Sequence, residues 1–187
     1  MMVTEAIAPQ TRPITGEELA MMDDVGPCEL VEGRIAPMVP TGDEHGGVEI
    51  TLGALLHNFA KTHNLGKVRV GEVGIYIRRN PDTVRAADIL FISNERYAQK
   101  GESAYLDVAP DLVVEIMSPG DVWSNVMQKL REYLGIGVRV VWIVDPPSRS
   151  VYAYRALTDV REFTAGDALS GDDVLPGFSV KVSEIFE

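Results

Sequence analysis

The segment from Val138 to Val144, VRVVWIV, is apolar at every position but one. A strand with that pattern has to be covered on both faces, because it has no polar side to offer water. It therefore calls for a sheet with helices packed on it. Three further runs read as strands: Val68 to Arg78, Ala86 to Ser93 (containing ADILFI), and Asp111 to Met117 (containing LVVEIM). They alternate or carry β-branched residues. Helical spacing fills the gaps. From Asp43 to about His63, Val48, Leu52, Leu55, Leu56 and Phe59 fall on one face. After the break Ser118-Pro119-Gly120-Asp121, a helix is predicted from Val122 to Leu134 with Asp121 as its N-cap, stopping at Gly135 and Gly137. Its buried stripe is predicted to be Trp123, Val126, Met127, Leu130, Tyr133 and Leu134, with Lys129 at the edge.

The rest is lighter structure. Thr15 is a cap for a short helix reaching about Asp24. Glu29 to Pro37 reads as two extended runs about a turn at Glu32-Gly33, and Ser150 to Arg155 with Val160 to Thr164 as an outer hairpin. A turn at Leu175-Pro176-Gly177 precedes a last apolar segment. Residues 1–13, polar and with two prolines, are expected to be a flexible arm rather than a secretion signal. The fold class is thus α/β, a mixed central β-sheet flanked by helices, in one domain of 187 residues. A single cysteine, Cys28, forbids an internal disulfide and suits the cytoplasm. No run approaches the roughly 20 apolar residues of a membrane span.

Two acids stand out because of their surroundings. Asp88 lies in an apolar strand run, and Glu115 follows Leu112-Val113-Val114 in another. A buried carboxylate is costly unless paired, hydrogen-bonded or bound to metal. Each alone could be a strand-end cap or an ion-pair partner. Together on neighbouring strands they would form an anionic cleft suited to a hard divalent cation. Lys129, on the following helix, could bury its stem and turn its ammonium into that cleft, or lie solvated on the flank. Glu44 and His45 open the first long helix, and Glu72 sits mid-strand before Val73; each is either a weaker cleft candidate or a surface group. His57 and His63 read as surface residues. No Cys/His cluster, glycine-rich phosphate loop or Gly-x-Ser-x-Gly turn is present. The net charge of −11 argues against tight non-specific binding to DNA, which relies on Lys and Arg neutralising phosphates.

Ala87-Asp88-Ile89, then Pro110 to Pro119 (PDLVVEIMSP), then Lys129-Leu130-Arg131-Glu132-Tyr133, then Gly137 and Val141 to Pro146 (VWIVDP) together resemble the Uma-two family of putative restriction endonucleases, within the PD-(D/E)XK nuclease superfamily. Glu72-Val73-Gly74 and Leu175-Pro176-Gly177-Phe178 extend the resemblance over most of the chain. It implies a restriction-endonuclease-like domain that hydrolyses phosphodiester bonds in DNA with Mg²⁺ or Mn²⁺. Asp88 and Glu115 match the metal-binding acids, and the Ile116 backbone carbonyl a further ligand; Glu44 and Glu72 are additional metal candidates. The pattern departs at Ala87, which replaces a proline, and at Met117, which stands where the superfamily has its lysine. The family resemblance moves that role to Lys129. An endonuclease is expected, with an inert nuclease-fold binding or regulatory module as the alternative. A homodimer is expected too, since enzymes that cut both strands commonly pair two centres and most soluble oligomers are twofold.

Overall fold

The structure, a computed structural model, describes residues 12–187. Most of the expected arm, residues 1–11, lies outside the described residues. Thr15 caps helix α1 (Gly16–Ala20) reciprocally: its hydroxyl accepts from the Glu18 N–H, and the Glu18 carboxylate accepts from the Thr15 N–H. The helix stops at Ala20, short of Asp24. Strands β1 (Cys28–Val31) and β2 (Arg34–Pro37) form the expected hairpin. Gly33 turns it at φ 73°, and a Cβ there would sit 2.5 Å from the Pro13 side chain. Helix α2 (Asp43–Thr62) leads into β3 (Gly66–Arg78) and β4 (Thr83–Ser93), then the short α3 (Asn94–Tyr97). Strand β5 (Leu112–Ile116), helix α4 (Trp123–Gly135) and strand β6 (Val140–Asp145) follow. The chain ends with β7 (Ser150–Ala156), β8 (Asp159–Phe163), β9 (Ala168–Ser170), β10 (Ser179–Lys181) and α5 (Val182–Ile185).

The main sheet runs β2-β1-β4-β5-β6-β7-β8, with β3 also paired to β4, and β9 and β10 form a separate pair. Only β5 and β6 are parallel among these pairings. Parallel neighbours need a crossover, and α4 provides it. Alternation along β5 sorts the core into two layers. Leu112, Val114 and Ile116 face Val48, Leu52 and Leu56 of α2 together with Trp142. Val113 faces the opposite way, toward Val126, Leu130 and Tyr133 of α4. Both faces of β6 are covered, as its apolar run requires. Among the described residues no helix is long and apolar enough to cross a membrane.

Two local expectations are corrected. Asp121 does not cap α4. The N-cap is Val122, without a side-chain bond, while Asp121 accepts the Ser118 N–H and so closes the preceding turn. Trp123 is not part of the buried stripe but 53% exposed. Helical spacing aligns it with Val126 and Leu130, yet the first turn of α4 projects past the strand ends and leaves it nothing to pack on.

Sheet topology also creates a fork. Strand β3 pairs along one edge of β4 from Arg78↔Thr83 to Gly66↔Ser93. Strands β1 and β5 therefore share the other edge. They meet it at opposite ends, at Leu30↔Val84 and at Ile89↔Val114 onward. Between these points, Arg85 to Asp88 face the gap where β1 and β5 diverge. Because Leu130 is fully buried under the crossover helix, Leu130→Ala is expected to cost about 2–5 kcal/mol in a urea titration. A loss below about 1 kcal/mol would contradict this packing.

Candidate active site

Backbone groups on a diverging edge need partners as much as those in a ladder do, and here charged side chains supply them. The Ala86 N–H donates to Glu29 Oε1 at 3.0 Å, and the Ala86 carbonyl accepts from Lys129 Nζ at 3.1 Å. Asp88 Oδ2 accepts the Ile116 N–H at 2.6 Å. The β4–β5 register, continued one step beyond Ile89↔Val114, sets Asp88 opposite Glu115. Asp88 is thereby held across the mouth of the fork, against the end of the strand that carries Glu115.

Lys129 reaches the fork, as its place on α4 allows. Its ammonium lies 2.6 Å from Glu115 Oε2 and 3.2 Å from Glu29 Oε1. Tyr133, one turn further along α4, donates its hydroxyl to Glu115 Oε1 at 2.7 Å, so it holds the acid rather than the lysine stem. Arg85 completes the network, 2.7 Å from Glu29 and 2.5 Å from Glu132. From the α2 side, His45 Nε2 approaches Asp88 Oδ2 at 3.3 Å, while buried His45 Nδ1 has no hydrogen-bond partner among the described residues.

The electrostatics follow from burial in a crowd of acids. Burial raises the Glu115 carboxyl to about 7, with Asp88 adding to the rise and Lys129 and Tyr133 opposing it. Burial alone would lower the Lys129 ammonium, but Glu115 and Glu29 outweigh it and raise it. Burial likewise would raise Glu29, and Lys129 and Arg85 reverse this. His45 is raised, its burial overcome by the hydrogen bond and charge of Asp88. Glu49 is raised by burial and by the charges of Asp88 and Glu72.

Of the residues singled out in the sequence, Asp88, Glu115, Ile116 and Lys129 come together. Glu72 lies on the same side, in a β3 bulge where its φ is 50°, and accepts from the Thr41 hydroxyl. Glu44 is exposed and lines a separate groove beside Arg149 and Phe186; the α2 acid whose charge is felt at Asp88 is Glu49, one turn beyond His45. His57 and His63 are on the surface, as expected. Met117 is half-buried among apolar neighbours of the α4 layer. Glu29 and Arg85 were missed. Both stand in short apolar strands, CELV and TVRAAD, so the signal that pointed to Asp88 was present for them as well.

Comparison with known proteins agrees with this arrangement. The family model Uma2, described as "Putative restriction endonuclease", matches residues 17–183. The chain belongs to that family. A solved structure from Anabaena variabilis ATCC 29413, described as a putative nuclease belonging to DUF820, superposes with a TM-score of 0.77 at 19% identity, covering 93% of this chain and 98% of that one. At that identity the likeness concerns the fold. No curated protein matches this sequence.

The raised Glu115 carboxyl has a consequence for stability. Its usual value is 4.5, so the folded state holds the proton more tightly than the unfolded state. The contribution is fully present below 4.5 and is lost as pH rises through about 7. In metal-free thermal melts, the parent protein should lose more stability than Glu115→Gln across that window. Parallel pH profiles for the two proteins would contradict the assignment.

Proposed function

We propose that this chain is a metal-dependent DNA endonuclease that hydrolyses phosphodiester bonds at a centre built on Asp88, Glu115 and Lys129. One observation carries the proposal: two strand acids and a lysine from the next helix meet at one fork in the sheet. The donors are hard oxygens, from Asp88, Glu115 and the Ile116 carbonyl, with Glu49 and Glu72 on the same side as further candidates. Among the described residues no three His, Cys, Asp or Glu side chains are arranged around one ion position. Mg²⁺ and Mn²⁺ do not require such a cage, because one or two carboxylates, water and a substrate phosphate serve for Mg²⁺. When bound, the ion would polarise the phosphodiester and make hydroxide available near neutral pH.

The chain's own groups have definable roles. Asp88 is aimed by the Ile116 N–H, which fixes one oxygen. Glu115 is oriented by Tyr133 and Lys129. The Lys129 ammonium can hold the attacking water or offset negative charge developing on the phosphoryl oxygens. Met117 cannot take that part, since a thioether has neither charge nor a proton to donate. We further propose a twofold homodimer in the cytoplasm; a monomeric mass by light scattering at high concentration would count against it.

Asp88→Asn and Glu115→Gln are each expected to reduce cleavage at least a hundredfold and to weaken Mn²⁺ binding, measured by calorimetry. Chelator should abolish cleavage, and Mn²⁺ affinity should fall as pH drops below about 7, where Glu115 takes up a proton. Lys129→Ala would leave Glu115 and Glu29 without their shared counter-charge, and such losses cost about 3–5 kcal/mol. Lys129→Gln is therefore the better probe. It should lower cleavage strongly while the fold, followed by circular dichroism, persists. Lys129→Arg should not restore the rate, because a planar fork replaces a compact ammonium. Met117→Ala should lower stability more than rate.

The inert-module alternative draws on one observation, that Lys129 and Tyr133 already occupy both Glu115 oxygens. A protein that binds no Mn²⁺ through Asp88 and Glu115 and cuts no nucleic acid would decide for it.

A further inference from the structure

We propose that Trp123 is a stacking platform for an unpaired base at the mouth of this centre, so that the substrate is nucleic acid with single-stranded character. The inference rests on the nuclease assignment for the identity of the bound polymer, and it is carried by the placement of Trp123 and the charge of the fork.

Strand β5 ends at Ile116, next to Glu115, and α4 runs back over it toward the start of β6. Lys129 sits on α4 above the acids. Trp123 is the first residue of the same helix, about 9 Å further toward the strand ends at the helical rise per residue. Side chains on a helix lean toward its N-terminus, which carries the indole further out over the end of the sheet. Trp123 is 53% exposed and its neighbour Val122 57% exposed. A large aromatic in that position, on the segment linking Glu115 to Lys129, flanks whatever enters the fork.

Charge decides what that polymer is. Glu29, Glu49, Glu72, Asp88, Glu115 and Glu132 surround the fork or its ion pairs. The cations that reach it, Lys129 and Arg85, are each shared between two carboxylates. The whole chain carries −11. Duplex binding draws its affinity mainly from Lys and Arg on phosphates, and these two cations are already committed. Stacking on an aromatic side chain needs no positive charge and is open to any base with a free face. A paired base inside a helix has no such face.

Fluorescence reads the contact directly, because the second tryptophan, Trp142, is only 2% exposed and shielded from ligands. The protein is titrated with a short oligothymidylate and with a blunt duplex of equal length, with Ca²⁺ present and Mg²⁺ absent. The oligothymidylate should quench the indole emission and the duplex should not. Trp123→Ala should weaken oligothymidylate binding about tenfold or more, with Trp123→Phe in between and Mn²⁺ binding unchanged in both. Equal binding of the two probes, binding unaffected by Trp123→Ala, or no binding of either overturns the proposal. So does a Trp123→Ala variant that turns a dimer into a monomer, which would make the indole a subunit contact. Quenching by oligothymidylate in a protein that cuts nothing would keep the stacking site and sink the nuclease assignment. Metal-dependent cleavage that ignores Trp123→Ala would do the reverse.

Discussion

The ammonium of Lys129 ties the centre to the rest of the fold. It joins helix α4 to three strands at once, through Glu115 on β5, Glu29 on β1 and the Ala86 carbonyl on β4. Without it, two largely buried carboxylates would face each other across the fork with Arg85 as the remaining counter-charge on Glu29. Isolated charges in such a place cost several kcal/mol each, and a pair recovers that only with good geometry and further hydrogen bonds. Those conditions are met by Tyr133 on the second Glu115 oxygen and by Arg85 and the Ala86 N–H on Glu29. The centre is thus held by side chains that also hold the sheet together.

The reason charge is admitted here at all is topological. Strand β4 pairs fully with β3 on one edge and gives the other to two strands that part company. Wherever two strands diverge along one edge, backbone donors and acceptors are exposed inside the protein and have to be met by side chains. A fork in a covered sheet is therefore a place where polar groups are stabilising and apolar ones are not. It also faces outward at the strand ends, so a site formed there is rigidly framed and still open to a ligand. The α2 layer contributes His45 and Glu49 to the same place from the other face, which gives the fork walls on two sides.

Much of this was legible in the chain. The strands of the central sheet, the long helices and the hairpins follow from periodicity and turn residues. Asp88, Glu115 and Lys129 could be selected as charges lying within or beside apolar stripes. Glu29 and Arg85 carried the same signal in weaker form, in strands too short for the pattern to register. Asp121 and Trp123 show its limit. Asp121 has the right residue type and position for a cap, yet its carboxylate is taken by the turn that precedes the helix. Trp123 keeps helical phase with the buried stripe, but phase does not say where the sheet beneath comes to an end.

The sequence by itself determined which elements form, which faces they bury and which charges are too deep in apolar runs to be solvated, because these depend on neighbours a few residues apart. Only the tertiary structure decided that β1 and β5 diverge along one edge of β4, that His45 and Glu49 rather than Glu44 turn toward Asp88, and that Tyr133 serves Glu115. Those facts depend on contacts between residues 18 to more than 50 positions apart, and no local spacing encodes which backbone group is left without a strand partner.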